Sequence, residues 1–245
     1  MRDVRLFVDV PLAPGHSLSL PPDAARHALR VLRLRAGDPV LLFNGDGREY
    51  PARLLAADRS TASVHVETAE MPARESCLRV TLVQALARGE KMDWIIQKAT
   101  ELGAACILPV TSKRSEVRLD GARSKKRLDH WRAIAIAACE QCGRNVVPGI
   151  AVPESLEACL AAHPRTNGEA RWMLHPGGTT RLRDTVPAAT DVMLAVGPEG
   201  GFSDNDLVTL RQAGFRELSL GPRVLRTETA GLAAMAALQA VHGDM

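Results

Sequence analysis

The stretch "LAVGPEGGFSDNDL", Leu194 to Leu207, holds an apolar run, a loop with three glycines, a proline and one carboxylate, and then a polar segment. The polar part reads as a helix start. Ser203 with Asp206 three residues on has capping-box spacing, and Phe202 and Leu207 are placed as a hydrophobic staple. The order is therefore buried strand Leu194–Val196, tight loop Gly197–Gly201, and capped helix from Ser203. Glycines allow positive φ and close backbone approach. The spacing is neither G-x-G-x-x-G nor G-x-x-x-x-G-K-[ST], and Glu199 would repel a phosphate. An acid amid bare backbone suits an uncharged or cationic ligand. A plain strand-to-helix turn is the other reading.

Two more loops share this character. "LHPGG", Leu174 to Gly178, follows "RWML", and "LGPRVLRTET", Leu220 to Thr229, follows "RELS". Thr227 is placed to cap the last helix, with Glu228 in its first turn. In open α/β sheets, ligands bind at loops leaving the C-terminal ends of strands. Three such loops in one half of the chain point to a site.

Upstream, strand and helix patterns alternate from Leu78. "LRVTLVQAL" and "ACILPV" read as strands, and Arg123 to Gln141 as a long helix. "EKMDWIIQKATELG" sets Met92, Ile95, Ile96, Ala99 and Leu102 on one helical face, with Gly103 as its stop. This alternation predicts an α/β domain over 73–245 with a mostly parallel sheet covered on both faces. Residues 1–72 read differently. "RLFVDV" is a strand, "NGDG" at Asn44–Gly47 a hairpin, and "STASVHVET" alternates with Ala62, Val64 and Val66 on one face. A short helix in "DAARHALRVLRL" ends at Gly37. Several strands and one helix predict a small barrel, with a boundary near Pro72.

The 245 residues are 46% apolar and 24% charged, ordinary for a soluble protein with a real core. No apolar run is long enough for a bilayer, and charges interrupt the N-terminal apolar stretch, so a cytoplasmic location with no membrane partner is expected. Net charge is only +3, yet residues 73–150 carry 14 basic against 8 acidic side chains. The excess centres on "KRSEVRLDGARSKKRLDHWR", Lys113 to Arg132. This is either the face for an anionic partner or a solvated helix. The five cysteines form no disulfide framework. Cys139 and Cys142 form a C-x-x-C inside a helical segment, and buried free thiols are expected there rather than a metal site.

"GPEGGFS", "LGPRVLRTETA", "KMDWIIQKATELG" and "EQCGRNVVP" together resemble the bacterial 16S ribosomal RNA uracil-N3 methyltransferase family, of the SPOUT class. The likeness covers nearly the whole chain, and "RHALRVLRLRAGDPVLLFNGDGREY" looks like that family's N-terminal domain. It implies a PUA-like, RNA-binding β-barrel over 1–72 and a SPOUT methyltransferase domain over 73–245, tied into a deep trefoil knot. It implies S-adenosylmethionine as cofactor, held mainly by backbone at Leu174, His175, Gly197, Gly200, Gly201, Leu220, Gly221 and Leu225. It also implies a homodimer with the site at the subunit interface, acting on 16S ribosomal RNA within the 30S subunit. The Ala-rich "AGLAAMAALQA" fits a close interface and, equally, a buried core helix.

Methyl transfer to a base nitrogen is a positioning task in which the N3 proton must leave. Arg226 is expected to stabilise the uracil anion or orient the base. Glu199 is a candidate for proton removal or a brace for its loop, and His175 a base or a satisfied loop residue. Aromatics are only 3% of the chain, so RNA recognition should lean on phosphate contacts and arginine stacking. Arg30, Arg33, Arg114, Lys125, Lys126, Arg127 and Arg144 are the expected contributors. Ribose 2′-O methylation by another SPOUT enzyme and a non-catalytic ribosome-assembly factor that binds RNA are the rival readings.

Overall fold

The computed structural model describes residues 4–58, 61–115, 121–185 and 190–245. It divides into two compact units, Met1–Glu75 with Ile136–Val147, and Ser76–Ala135 with Pro148–Met245.

The first unit holds β1 (Arg5–Phe7), β2 (Ser17–Ser19), α1 (Pro22–Arg26), β3 (Pro39–Phe43), β4 (Tyr50–Ala57) and β5 (Ala62–Val66). Its five strands pair in the order β1-β3-β4-β5-β2. Only β1 with β3 is parallel. β3 and β4 are joined through "NGDG", where Gly45 and Gly47 take positive φ. Ala62, Val64 and Val66 all point into the core beside Leu6, Leu42 and Leu54, as the alternation predicts. The helix ends earlier than expected. After α1 the coil widens into a π-helical turn over His27–Val31, and Arg33, at φ +56°, breaks it before Gly37. Gly37 serves the next turn instead, donating its N–H to the Leu54 carbonyl at 2.7 Å.

This unit also contains a buried polar cluster. Arg5 donates to Glu49 Oε1 and to Asn145 Oδ1, both at 2.6 Å, and to the Arg144 carbonyl at 3.0 Å. Burying that guanidinium is tolerable because both terminal nitrogens are bonded, although Nε is left without a partner.

The second unit runs β6 (Arg79–Ala85), α2 (Lys91–Glu101), β7 (Ala104–Thr111), α3 (Gly121–Cys142), β8 (Gly149–Ile150), β9 (Glu154–Ser155), α4 (Leu156–Ala162), β10 (Ala170–Leu174), β11 (Thr180–Arg181), β12 (Asp191–Val196), α5 (Asp204–Gln212), β13 (Arg216–Ser219) and α6 (Thr227–His242). The last residues of α3 fall in the first unit. The strands order as β11-β13-β10-β12-β6-β7-β8, with β9 also beside β7. Every pairing in this sheet is parallel, so the unit is α/β with the parallel sheet that the alternating pattern predicts. α2 buries Met92, Ile95, Ile96 and Ala99, and Gly103 follows at φ +82°.

Sequence reasoning passed over α4. Ser155 caps it, accepting from Ala158 N at 3.1 Å, while Leu156, Cys159 and Leu160 are buried. The i, i+3, i+4 spacing was present, but only seven residues long. At the other end of the chain, Gly231 lets α6 approach the sheet. A Cβ there would lie 3.2 Å from Val196 Cγ2.

The position of β13 decides where the site forms. It pairs with β10, on the side away from β12. Parallel neighbours end at the same edge, so the loops after β13, β10 and β12 leave the sheet side by side.

Candidate active site

These three loops enclose a cleft of about 690 Å³, within the ~300–1,000 Å³ usual for small-molecule sites. Leu174, Val196, Leu218, Leu220 and Leu225 give it apolar walls, and Gly197–Gly201, Arg223 and Arg226 complete the lining. All the residues expected from sequence to hold a cofactor, namely Leu174, His175, Gly197, Gly200, Gly201, Leu220, Gly221 and Leu225, line this one cleft.

The glycine loop is fastened at three points. Thr227 Oγ1 donates to the Gly197 carbonyl at 2.7 Å. Arg114 donates to the Gly200 carbonyl at 3.0 Å. Glu199 Oε1 accepts from Lys91 Nζ at 2.9 Å and from Arg88 N at 3.3 Å. Gly197 has no room for a side chain, since a Cβ would lie 3.0 Å from Phe202 N and 3.2 Å from Gly201 C. Gly201 takes φ +69° and closes the turn by donating its N–H to the Pro198 carbonyl at 2.8 Å. Beyond the loop the capping box is complete. Ser203 N donates to Asp206 Oδ2 at 2.8 Å, and Asp206 N to Ser203 Oγ at 3.2 Å. Phe202 and Leu207 share the core below.

Thr227 is not the cap expected of it. Arg226 occupies the N-cap position without a side-chain bond, and Thr227 is the first residue of α6. Its hydroxyl bonds Gly197 and also accepts from Gln84 Nε2 at 3.1 Å. A cross-loop bond to the half-buried Gly197 carbonyl replaces a bond to its own helix.

Electrostatics separate the candidate catalytic groups. Partial burial pushes the Glu199 carboxyl up, but the Lys91 hydrogen bond, backbone N–H groups and the Lys91 charge outweigh it and hold it below the usual range. The hydrogen bond to Glu199 pushes Lys91 up, and burial opposes it only in part. Glu228 Oε2 is buried without a hydrogen bond, with Lys91 Nζ at 3.5 Å. His175 Nδ1 accepts from Gly177 N at 3.2 Å. The Arg226 side chain is 82% exposed at the rim, 3.9 Å from Glu228.

The basic residues expected to meet RNA scatter. Arg114 lies in the cleft against Gly200. Lys125, Lys126 and Arg127 are exposed on α3, with Lys125 3.6 Å from Asp129. Residues 116–120 of the basic run lie outside the described residues. Arg30 and Arg33 are exposed in the first unit. Arg144 corrects the expectation. It is buried and forked onto Glu75 at 2.6 and 3.0 Å, so it braces the first unit instead of presenting a charge.

Cys139 and Cys142 are free thiols, the first buried and the second half-buried. Burial pushes the Cys139 thiol up to about 12. Among the described residues, no group of three His, Cys, Asp or Glu side chains is placed to hold a metal. None of the described helices is long and apolar enough to cross a membrane.

Sequence reasoning missed Lys91, Arg88 and Gln84. Gln84 carried a signal, as a polar residue inside an apolar strand. Lys91 carried none, because a lysine opening a helix looks like any solvated charge.

Comparison with known proteins points the same way. Residues 74–239 match the RNA methyltransferase domain, and residues 20–67 the RNA methyltransferase PUA domain. Ribosomal RNA small subunit methyltransferase E of Buchnera aphidicola (subsp. Schizaphis graminum) is 32% identical over 98% of this chain and 97% of its own. The Bacillus subtilis protein of that name is 30% identical over 91% of this chain and 89% of its own. Among solved structures, a Legionella pneumophila methyltransferase with bound S-adenosylmethionine superposes with a TM-score of 0.95 and 39% identity over the whole of both chains. The methyltransferase E of Neisseria gonorrhoeae, bound to S-adenosylmethionine, gives 0.92 and 35%, again over the whole of both.

Proposed function

The chain belongs to the ribosomal RNA small subunit methyltransferase E family, and from that premise we propose that it methylates N3 of one uridine in 16S ribosomal RNA. It is an S-adenosylmethionine-dependent ribosomal RNA methyltransferase. The observation that carries the assignment is the meeting of three Gly- and Pro-containing loops, from β10, β12 and β13, in one cleft. The cleft fits the cofactor. Its apolar walls suit adenine, and its glycine loop offers backbone where Gly197 excludes any Cβ. When bound, S-adenosylmethionine supplies an electrophilic methyl group on a sulfonium centre.

The residues divide the work. Leu174, Leu220 and Leu225 exclude water, which strengthens electrostatic interactions inside. Gly197–Gly201 would hold the methyl donor through its backbone groups. Arg226, at the open rim, stabilises negative charge on the uracil as N3 gives up its proton to solvent water, which frees the nitrogen lone pair to take the methyl group. Glu199 braces its loop, because its hydrogen bonds and lowered proton affinity make it a poor base. The target uridine swings out of the RNA to reach the cleft.

Residues 1–72 form a PUA-like barrel that binds RNA together with Lys125, Lys126 and Arg127, and residues 73–245 form the SPOUT domain. The strand order supports a trefoil knot. After β12 the chain crosses beyond β10 to lay down β13, and α6 then returns to pack on β12 and β6. The protein acts in the cytoplasm as a homodimer on 30S subunits. Leu232, Ala233, Ala236 and Ala237 of α6 are only half-buried in the single chain, as an interface helix requires.

The test is methylation of 30S subunits and of naked 16S RNA with labelled cofactor, followed by nucleoside analysis. N3-methyluridine is the expected product, and 30S the better substrate. A 2′-O-methylated nucleoside would replace the assignment with ribose methylation. Calorimetry showing no cofactor binding would leave a non-catalytic RNA-binding factor.

A further inference from the structure

Backbone lines one side of the cleft, and backbone rich in glycine is costly to hold still. The bonds that hold Gly197–Gly201 come from Thr227, Arg114, Arg88 and Lys91. Among the described side chains that donate to this loop, Lys91 joins charge to charge. Its ammonium donates to Glu199 Oε1 at 2.9 Å and stands 3.5 Å from Glu228 Oε2. It therefore links the start of α2, the glycine loop and the first turn of α6. The location is unusual for a cation, since Lys91 is the first residue of α2 and the helix dipole disfavours positive charge there. The two carboxylates offset that penalty. They also need it, since Glu228 Oε2 is buried with no hydrogen bond.

We propose that Lys91 is a positioning residue that fixes the Gly197–Gly201 loop through Glu199 in the shape that receives S-adenosylmethionine, while neutralising Glu228 beside it. The proposal rests on reading the cleft as the cofactor site. Lys91 acts through Glu199. It spares the cofactor from ordering the loop on binding, so its contribution is preorganisation. The cost of removing it falls on cofactor affinity more than on turnover at saturation.

The experiment is calorimetric titration of S-adenosylmethionine into the full-length protein and into Lys91→Met, Lys91→Arg, Glu199→Ala and the Lys91→Met/Glu199→Ala double variant. The melting temperature of each is measured without cofactor. A hydrogen bond between charged partners predicts a dissociation constant about tenfold higher or more for Lys91→Met. Lys91→Arg restores binding to within about threefold, because it keeps the charge and the donor. Glu199→Ala weakens binding by a similar factor to Lys91→Met, and the double variant is little weaker than either single one, since both cut the same tie. In turnover assays KM for the cofactor rises more than kcat falls. Unchanged affinity in Lys91→Met, or no recovery in Lys91→Arg at matched melting temperature, overturns the role of Lys91. Should Lys91→Met fail to fold, undiminished binding by Glu199→Ala overturns it equally. Failure of the unaltered protein to bind removes instead the cofactor reading beneath it.

Discussion

The two loops that wall the cleft, Gly197–Gly201 and Leu220–Arg226, look alike in sequence and are treated oppositely by the fold. Both follow short strands and both carry Gly-Pro. The first is held by Thr227, Arg114, Arg88 and Lys91. The second lies open, with Val224 79% exposed between Arg223 and Arg226. Gly221 N bonds locally, to Ser219 Oγ at 3.4 Å. A fixed wall suits a small ligand read by backbone. An open rim with two cations suits a large anionic substrate that must enter and leave. Composition does not separate these roles; the partners of each loop do.

The largest effect should come from the open wall. Arg226→Ala is expected to lower single-turnover methylation by about a hundredfold or more, the scale of removing one stabiliser of charge in the transition state. Cofactor affinity, measured by calorimetry, should stay within about twofold. Unchanged turnover would move Arg226 out of the chemistry and erase the contrast.

The fixed wall should respond in the opposite coordinate. Gly197→Ala forces a Cβ to 3.0 Å from Phe202 N. Overpacking of that kind costs about 1–3 kcal/mol, so cofactor affinity should fall roughly five- to a hundredfold. An unaltered dissociation constant would mean that the loop adapts freely and that its ties are incidental.

The smallest effect lies away from both walls. Lys126→Ala on the exposed face of α3 should weaken RNA binding a few-fold and leave cofactor binding alone. The slope of log affinity against log salt should become shallower by about 0.7 for the lost phosphate contact. Filter binding over a salt series reads this directly, and an unchanged slope would detach α3 from the RNA face.

Local signals carried much of the reading. The Ser203–Asp206 box, the turn glycines at 45, 47 and 201 and the buried face of α2 follow from rules that span a few residues, so they were legible one segment at a time. Thr227 shows where such rules stop. Its position favours capping α6, but Thr227 is itself buried, and its hydroxyl finds the Gly197 carbonyl and Gln84 Nε2 there, while the terminal N–H of α6 can be satisfied by water. Arg144 shows the same limit for charge. Beside Gly143 and Asn145 it resembles an exposed loop cation, yet Glu75, distant in sequence, takes it into the interior.

By itself the sequence determined the α/β alternation, the hairpin-rich N-terminal segment, and the identity of three loops suited to a cofactor that is not a phosphate. It did so because periodicity, caps and glycine φ are short-range properties. Only the tertiary structure decided that β13 lies beside β10, which sets those loops next to one another, and that Lys91 and Thr227 fasten one of them while the other stays open. Strand order and cross-loop hydrogen bonds join residues dozens to more than a hundred positions apart, and no local pattern records which distant partner a polar group will meet.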